Sequence, residues 1–215
     1  MDIIRSVQRK TLRSAPYLET LEAMRSFTEG RNIDTPDALW QVEHPSVFTL
    51  GLAGSEQHLL ATGEIPVVRT ERGGQVTYHG PGQVVIYTLI DIRRRGLFVK
   101  DTVCRLEQAL IDTLEGFGIR GAARKPNAPG VYVPDPDQGP QAAAAKIAAI
   151  GLKITRGCVY HGIALNVSMD LEPFSRINPC GYAGMRTVDM ATMGVNPPWQ
   201  DVADRLCDSI ESQLG

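Results

Sequence analysis

Aromatic residues make up only 6% of the 215-residue chain. Val, Ile, Leu and Ala must therefore fill most of any core. No run is long enough to span a bilayer, and no apolar stretch of the kind that directs secretion lies near the N-terminus. These absences predict a cytoplasmic protein with no membrane contact. Cysteine is sparse: Cys104, Cys158, Cys180 and Cys207 are scattered, with no CxxC pair and no zinc-ligand spacing. No metal is expected, and in the cytoplasm such thiols stay reduced and available for chemistry. Excess positive charge is also missing. Lys and Arg number 22 against 24 Asp and Glu, for a net charge of −2, which argues against a dedicated nucleic-acid binder. Two basic clusters remain, Arg5/Arg9/Lys10/Arg13 and Arg93/Arg94/Arg95. A solvated surface is the simpler reading of each, and a docking site for an acidic protein the sharper one. No repeat of solenoid length is visible.

What is present suffices for one sizeable core. Apolar residues make up 43% of the chain, consistent with a single domain over residues 1–215. Three apolar stripes at helical spacing predict helices over Ala15–Thr28, from Asp101 to about Phe117, and over Pro198–Leu214. Runs rich in β-branched residues predict strands at Leu39–Glu43, Val47–Leu50, Val67–Arg69, Gln75–Tyr78, Val84–Ile92, Val131–Val133, Ile147–Thr155 and Val159–Val167. Val84–Ile92 is apolar on nearly both faces and belongs inside a sheet. Arg156-Gly157-Cys158 predicts a hairpin between the last two runs. Pro134–Ala145 reads as a mobile surface excursion. The fold expected is α/β (α+β), a single domain with a mixed, mostly antiparallel sheet and flanking helices.

Three segments carry more than core residues. Arg72–Gln83 (RGGQVTYHGPGQ) holds four glycines, a cost justified where backbone turns sharply or approaches a ligand; a tight hairpin with Tyr78 and His79 satisfied internally is the alternative. Lys146 opens an apolar strand. Alone it reads first as a lysine pointing to solvent; burial would disfavour its charged form and make it a usable base. Cys180 sits between Pro179 and Gly181, in a turn suited to presenting a thiol or aiming backbone N–H groups at an oxyanion; a buried small residue is the alternative. Cys104 and Cys207, both in helix patterns, exemplify that alternative. His79 and His161, each between Tyr and Gly, suggest two faces of one pocket.

Together these segments resemble the octanoyltransferases of lipoate biosynthesis. The resemblance rests on RGGQVTYHGPGQ (Arg72–Gln83), APGVYV (Ala128–Val133), KIAAIGLKITRG (Lys146–Gly157), YHGIALNV (Tyr160–Val167) and INPCGYAGM (Ile177–Met185), in that order. It covers roughly Trp40–Met185. Asn127 stands where Asp is common, and Gln141–Ala145 replaces Gly or basic residues before the lysine.

The resemblance implies a fold shared with lipoate and biotin protein ligases, and transfer of an octanoyl or lipoyl group through an acyl-thioester. Cys180 would be the nucleophile and Lys146 its activating partner. Arg72, Gly73, Gly74, Gln75, Val76, Thr77, Tyr78 and His79 would line the substrate site. Ala149, Ile150 and Gly151 would form a second wall, Gly162, Ile163 and Ala164 a third, with His161 auxiliary. Small residues there, Gly151 and Gly162 among them, would leave room for an eight-carbon chain. Octanoyl-acyl carrier protein, through its phosphopantetheine, would be the donor. Apo lipoyl domains of 2-oxoacid dehydrogenases and the glycine cleavage H protein would be the acceptors. No cofactor is implied. An ATP-dependent lipoate- or biotin-type ligase, a Cys-dependent acyl thioesterase and a non-catalytic carrier-binding protein are the competing readings.

Overall fold

The computed structural model describes residues 6–138 and 143–215; the side chain of Cys180 lies outside that description. Among the described residues nine strands and three α-helices follow the order β1 (Val7–Leu12), α1 (Tyr17–Glu29), β2 (Asp37–Val42), β3 (Val47–Leu50), β4 (Val67–Arg69), β5 (Val76–His79), β6 (Gln83–Asp91), α2 (Val99–Gly116), β7 (Gly130–Val133), β8 (Ala145–Thr155), β9 (Cys158–Asn166) and α3 (Trp199–Leu214). A six-stranded sheet runs β1-β2-β6-β9-β8-β7, and a three-stranded sheet β4-β3-β5. Among the strands described, β1–β2 and β3–β4 pair in parallel and the rest antiparallel. The sheet is thus mixed and mostly antiparallel, as expected. Among the described residues no helix is long and apolar enough to cross a membrane.

The apolar stripes decide the layering. α2 and α3 bury Leu106, Leu110, Leu114, Val202, Leu206 and Ile210 with Val84, Ile86, Ile90, Ile147 and Leu165 of the sheet. On the other face α1 packs Tyr17, Leu21 and Met24 with Val42, Val85, Tyr87 and Ala164. β6 is interior, with every residue but Asp91 buried, because its sequence is apolar on both faces. The β8–β9 turn is two residues long, and Arg156 (φ 49°) and Gly157 (φ 78°) both take positive φ, matching the right-handed strand twist.

Two readings of charge change. β1 escaped the strand pattern because VQRKTL is polar and mostly exposed, as suits a protected edge. Its Arg9 pairs with Glu211 (2.6 Å) and Asp208 (2.7 Å) of α3, and Arg13 pairs with Glu43 at 2.9 Å; Arg5 lies outside the described residues. The Arg93–Arg95 cluster is not a docking surface. Arg94 (2.9 Å) and Arg95 (2.6 Å) turn inward onto the fully buried carboxylate of Asp37, which Arg31 also meets at 2.6 Å. A buried carboxylate requires such partners, and only Arg93 stays largely exposed. Cys104 differs as well: it is exposed on α2, whereas Cys207 is buried.

The described part of Pro134–Ala145 is anchored at both ends. Asp135 is buried and paired with Arg186 at 2.9 Å, and Ala145 is buried in β8. Residues 139–142 lie outside the described residues.

Candidate active site

β8 and β9 pair in a register that sets Ala149 opposite Ala164, Ile150 opposite Ile163 and Gly151 opposite Gly162. Over these residues the Gly-rich segment folds back: Gly73 N donates to Leu152 O at 2.8 Å. Between the two lies a narrow cleft lined by Arg72, Gly74, Gln75, Val76, Thr77, His79, Ala149, Ile150, Gly151, His161, Gly162, Ile163 and Ala164. Two expected lining residues fall outside it. Gly73 lines a neighbouring groove, and Tyr78 points to the small sheet's own core, where it packs with Phe48 and Phe174 and shares a 2.9 Å hydrogen bond with Ser46. Period-two alternation explains Tyr78: its neighbours Thr77 and His79, on the opposite side of β5, line the cleft. The sequence reading missed Tyr17, Val85 and Tyr87, which complete the cleft from α1 and β6.

Arg72 is 7% exposed and organises the loop. It donates from Nε to Thr49 Oγ1 (3.1 Å), from Nη2 to the carbonyls of Thr49 (2.6 Å) and Gln75 (2.8 Å), and from Nη1 to the carbonyl of Gly73 (2.9 Å). Its neighbour Glu71 faces the other way, onto Arg25 at 2.6 Å and the Tyr160 hydroxyl at 2.8 Å. The Arg25 guanidinium holds Glu71 down at about 2.

The two histidines do face one pocket. His79 Nδ1 lies 2.7 Å from Gln83 Oε1; Gln83 donates onward to Asn166 Oδ1 (2.9 Å), and Asn166 to Val188 O (3.0 Å). His161 takes φ 63° inside β9, and neither ring nitrogen has a hydrogen-bond partner among the described residues. His44, buried behind them, meets Ala15 O and the Tyr87 hydroxyl, each at 2.7 Å. Burial pushes all three imidazoles down, His44 to about 4 and His79 and His161 to about 3. They are neutral at physiological pH, and poor bases.

Gly162 has a different role from the one expected. A Cβ there would meet Ile86 O at 1.9 Å. Although Gly162 also lines the cleft, its missing side chain is required first by the close approach of β9 to β6. At Gly151 a Cβ would meet Arg72 Cδ at 3.1 Å, so that glycine does shape the cleft.

Lys146 does not point to solvent. It is 5% exposed, and its Nζ donates to Pro129 O at 3.0 Å and lies 5.3 Å from the centre of the Tyr132 ring. The APGVYV segment builds this seat: a bulge between Val131 and Tyr132 shifts the β7–β8 register there. The segment after the cysteine clamps the lysine's backbone, with Lys146 N donating to Arg186 O (2.9 Å) and Val188 N to Lys146 O (3.0 Å). Lys146 lines a small inner chamber together with Pro179, Ala148, Phe174 and Thr187. Thr77 and Ala149 line both this chamber and the main cleft.

Of the expected nucleophile, the backbone is described. Cys180 belongs to a 3₁₀ turn, Pro179–Gly181, that packs against β5. A strap from η1 (Glu56–His58) holds the approach to this turn: Asn178 N donates to His58 O at 2.9 Å, and Leu60 N to Arg176 O at 2.9 Å. The other thiols are poor nucleophile candidates where shifts are resolved. Burial pushes Cys158 up, and Cys207 up to about 12, which keeps both protonated.

Residues 16–211 match the lipoyl protein ligase A/B catalytic domain family. The octanoyltransferase of Paraburkholderia phytofirmans is 59% identical over 203 residues, covering 94% of this chain and 83% of that protein. The octanoyltransferase of Methylibium petroleiphilum is 54% identical over 223 aligned positions, covering 97% and 99%. Among solved structures, a putative lipoate protein ligase from Thermoplasma acidophilum with bound lipoic acid superposes with a TM-score of 0.75 at 14% identity, over 97% of this chain and 86% of that one. Biotin protein ligase from Aquifex aeolicus, in complex with biotin and ATP, gives 0.57 at 12% identity, over 98% and 70%. The structures speak for the fold, as their identities are low, and the sequences for the kind of enzyme: this chain belongs to the octanoyltransferases, acyltransferases built on the lipoyl protein ligase A/B catalytic domain.

Proposed function

We propose that this chain, acting as one catalytic domain over residues 1–215 in the cytoplasm, moves an octanoyl group from octanoyl-acyl carrier protein onto a lysine of apo lipoyl domains. Those domains are the ones of 2-oxoacid dehydrogenases and of the glycine cleavage H protein. The group rides on Cys180 as a thioester. One observation carries the reading: the buried Lys146 shares a chamber with Pro179, the residue before Cys180, and that chamber adjoins an apolar-walled cleft.

The chemistry is two acyl transfers. The Cys180 thiolate attacks the octanoyl thioester carbonyl, the C–S bond to phosphopantetheine breaks, and the departing thiolate takes up a proton. The acceptor lysine's neutral amine then attacks the acyl-enzyme. The Cys180 C–S bond breaks, an amide forms, and the amine's proton passes to the base. A free cysteine with a pKa near 8.5 is only about 3% thiolate at pH 7. Lys146 serves as the group that takes the thiol proton or stabilises the thiolate, and later receives the amine's proton. The octanoyl chain lies in the cleft, where each buried methylene contributes roughly 0.8 kcal/mol.

The neutral state of His79 and His161 supports a positioning role for both over base duty. Amide formation from a thioester is downhill, so no ATP is required, which separates this reading from a ligase of the same fold.

Mass spectrometry after incubation with octanoyl-carrier protein tests the proposal. An octanoyl adduct on Cys180 without ATP, removed by apo lipoyl domain, is the expected result. Lys146→Ala abolishes the adduct, while His79→Ala and His161→Ala slow its formation. A strict ATP requirement would identify a ligase, and release of free octanoate at one rate with or without lipoyl domain would identify a thioesterase.

A further inference from the structure

One buried polar side chain in the cleft combines two costs. His161 is 1% exposed, and neither ring nitrogen has a hydrogen-bond partner among the described residues. A neutral imidazole carries one donor and one acceptor, and buried groups of this kind are almost always paired. Nor is the ring where strand alternation would send it. On β9, Val159, Ile163 and Leu165 pack on the side of α2 and α3, while Tyr160 and Ala164 pack on the side of α1. Alternation would put His161 with the first set. Its φ of 63° instead turns the ring toward the second. The ring stacks on Tyr160 with centroids 5.1 Å apart, stands 6.2 Å from the Tyr87 ring, and lines the cleft. A left-handed backbone inside a strand is strained for any residue but glycine, and such strain collects at functional positions.

The ring also stands at a definite distance from the chemistry. Thr77 and Ala149 line both the cleft and the chamber of Lys146, so the thioester carbonyl belongs at that end. Ala149 pairs with Ala164, and Leu152 pairs with His161 three rungs farther along the same ladder. At about 3.3 Å per residue, three rungs span roughly 10 Å. The seven C–C bonds of an extended octanoyl chain, each about 1.5 Å, span about 9 Å in zigzag. A chain lying along the ladder from Ala149 therefore brings its methyl end just short of the imidazole.

We propose that His161 is the residue that sets the length of the acyl chain, because its imidazole ends the apolar cleft with a group that a methylene cannot partner. This rests on the acyl-transfer reading above. With octanoyl bound, the ring keeps a single ordered water as its partner. A ninth chain atom reaches the ring and displaces that water. If the ninth atom is carbon, the imidazole is left buried with nothing to bond; if it is a hydroxyl oxygen, the lost hydrogen bond is replaced. A purely apolar end wall would do the reverse, accepting the ninth carbon wherever space allows and rejecting the hydroxyl.

The test measures the second-order rate constant for Cys180 acylation of the purified full chain by three pantetheine thioesters: octanoyl, nonanoyl and ω-hydroxyoctanoyl. The last two have equally long chains and differ only in a terminal methyl or hydroxyl. In the unaltered protein, ω-hydroxyoctanoyl and octanoyl are each expected to exceed nonanoyl by roughly tenfold. His161→Leu should reverse the hydroxyl preference and raise nonanoyl relative to octanoyl by about tenfold. His161→Asn, shorter and tolerant of positive φ, should move the cut-off outward, so that nonanoyl is accepted as readily as octanoyl. Thermal melting confirms that each variant is folded; if neither folds, the unaltered protein's choice between the two equally long donors decides alone. A preference of the unaltered protein for nonanoyl over ω-hydroxyoctanoyl would overturn the proposal. So would donor ratios in folded His161→Leu that match those of the unaltered protein, including an equal loss for all three donors, which is what a structural role alone would give. If no donor acylates the unaltered protein, the acyl-transfer reading itself fails, a result distinct from normal acylation with unchanged donor ratios.

Discussion

Gly130 makes the room that Lys146 occupies. A Cβ on Gly130 would lie 2.8 Å from Lys146 Cε, 3.1 Å from its Nζ and 2.5 Å from Ala148 O, and the residue sits at φ 131°. The glycine and the preceding Pro129 carbonyl together fix where Lys146 Nζ goes.

Gly130→Ala should therefore displace the lysine as well as strain β7. The expected outcome is a loss of Cys180 acylation by at least about tenfold, with a melting temperature lowered by several degrees. Rapid-quench acylation read alongside thermal melting checks it. Unchanged acylation in a folded Gly130→Ala protein would show that the lysine's position is not set here.

Two glycines opposite each other on one rung should respond differently. Gly162→Ala drives a methyl into Ile86 O and should destabilise by about 3 kcal/mol or more, since backbone must shift. Gly151→Ala meets Arg72 Cδ at 3.1 Å and Gly73 O at 3.2 Å, contacts that a shift of a few tenths of an ångström relieves, so it should cost less stability than Gly162→Ala while narrowing the cleft and raising the KM for octanoyl donors. Urea unfolding and donor kinetics separate the two, and similar unfolding free energies would contradict the assignment.

Asp37 should matter for stability and not for docking. Asp37→Asn removes the single carboxylate that three buried or nearly buried arginines share. Breaking such a cluster costs about 3–5 kcal/mol. Urea unfolding measures it, and in the folded fraction the KM for carrier protein should be unchanged. A large KM change with little loss of stability would restore the docking reading of the arginines.

The buried histidines predict a one-sided pH dependence. Their folded pKa values are depressed to about 4 for His44 and about 3 for His79 and His161, while an unfolded histidine titrates near 6.5. Above that value all are neutral in both states and contribute no slope. As pH falls below about 6.5 the unfolded chain binds protons that the folded chain does not, so stability declines until about pH 4 for His44 and about pH 3 for the others. With three such groups the slope approaches about 4 kcal/mol per pH unit near pH 5. Urea unfolding at about pH 7 and about pH 5 should reveal this loss, and His44→Gln should reduce the slope by about one proton; a flat profile would mean the cluster admits water and titrates normally.

Much of this architecture was legible in the chain. The strand at Val84–Ile92 and the helix from about Asp101 gave themselves away by apolar content and by a 3.6-residue stripe, signals that depend on neighbours in sequence. The substrate wall at Ala149–Gly151 and its partner at Gly162–Ala164 came from motif resemblance, and the β8–β9 ladder then paired them. β1 was not legible because its partners, β2 and α3, are distant and its own residues are polar. Tyr17 and Tyr87 were missed for a related reason: each reads as an ordinary core residue of its element, and only the packing of α1 against the sheet turns them toward the cleft.

The sequence by itself determined which segments are helix and strand, which thiol sits in a Pro-Cys-Gly turn, and which family the motifs resemble. Those properties are local, or lie in the order of residues. Only the tertiary structure decided that Lys146 is buried on the Pro129 carbonyl, that Arg94 and Arg95 turn inward onto Asp37, and that Gly162 is small for the sake of β6. Each of these depends on contacts between residues far apart in the chain. Periodicity reports which face of an element avoids water; it does not report which other element will cover that face.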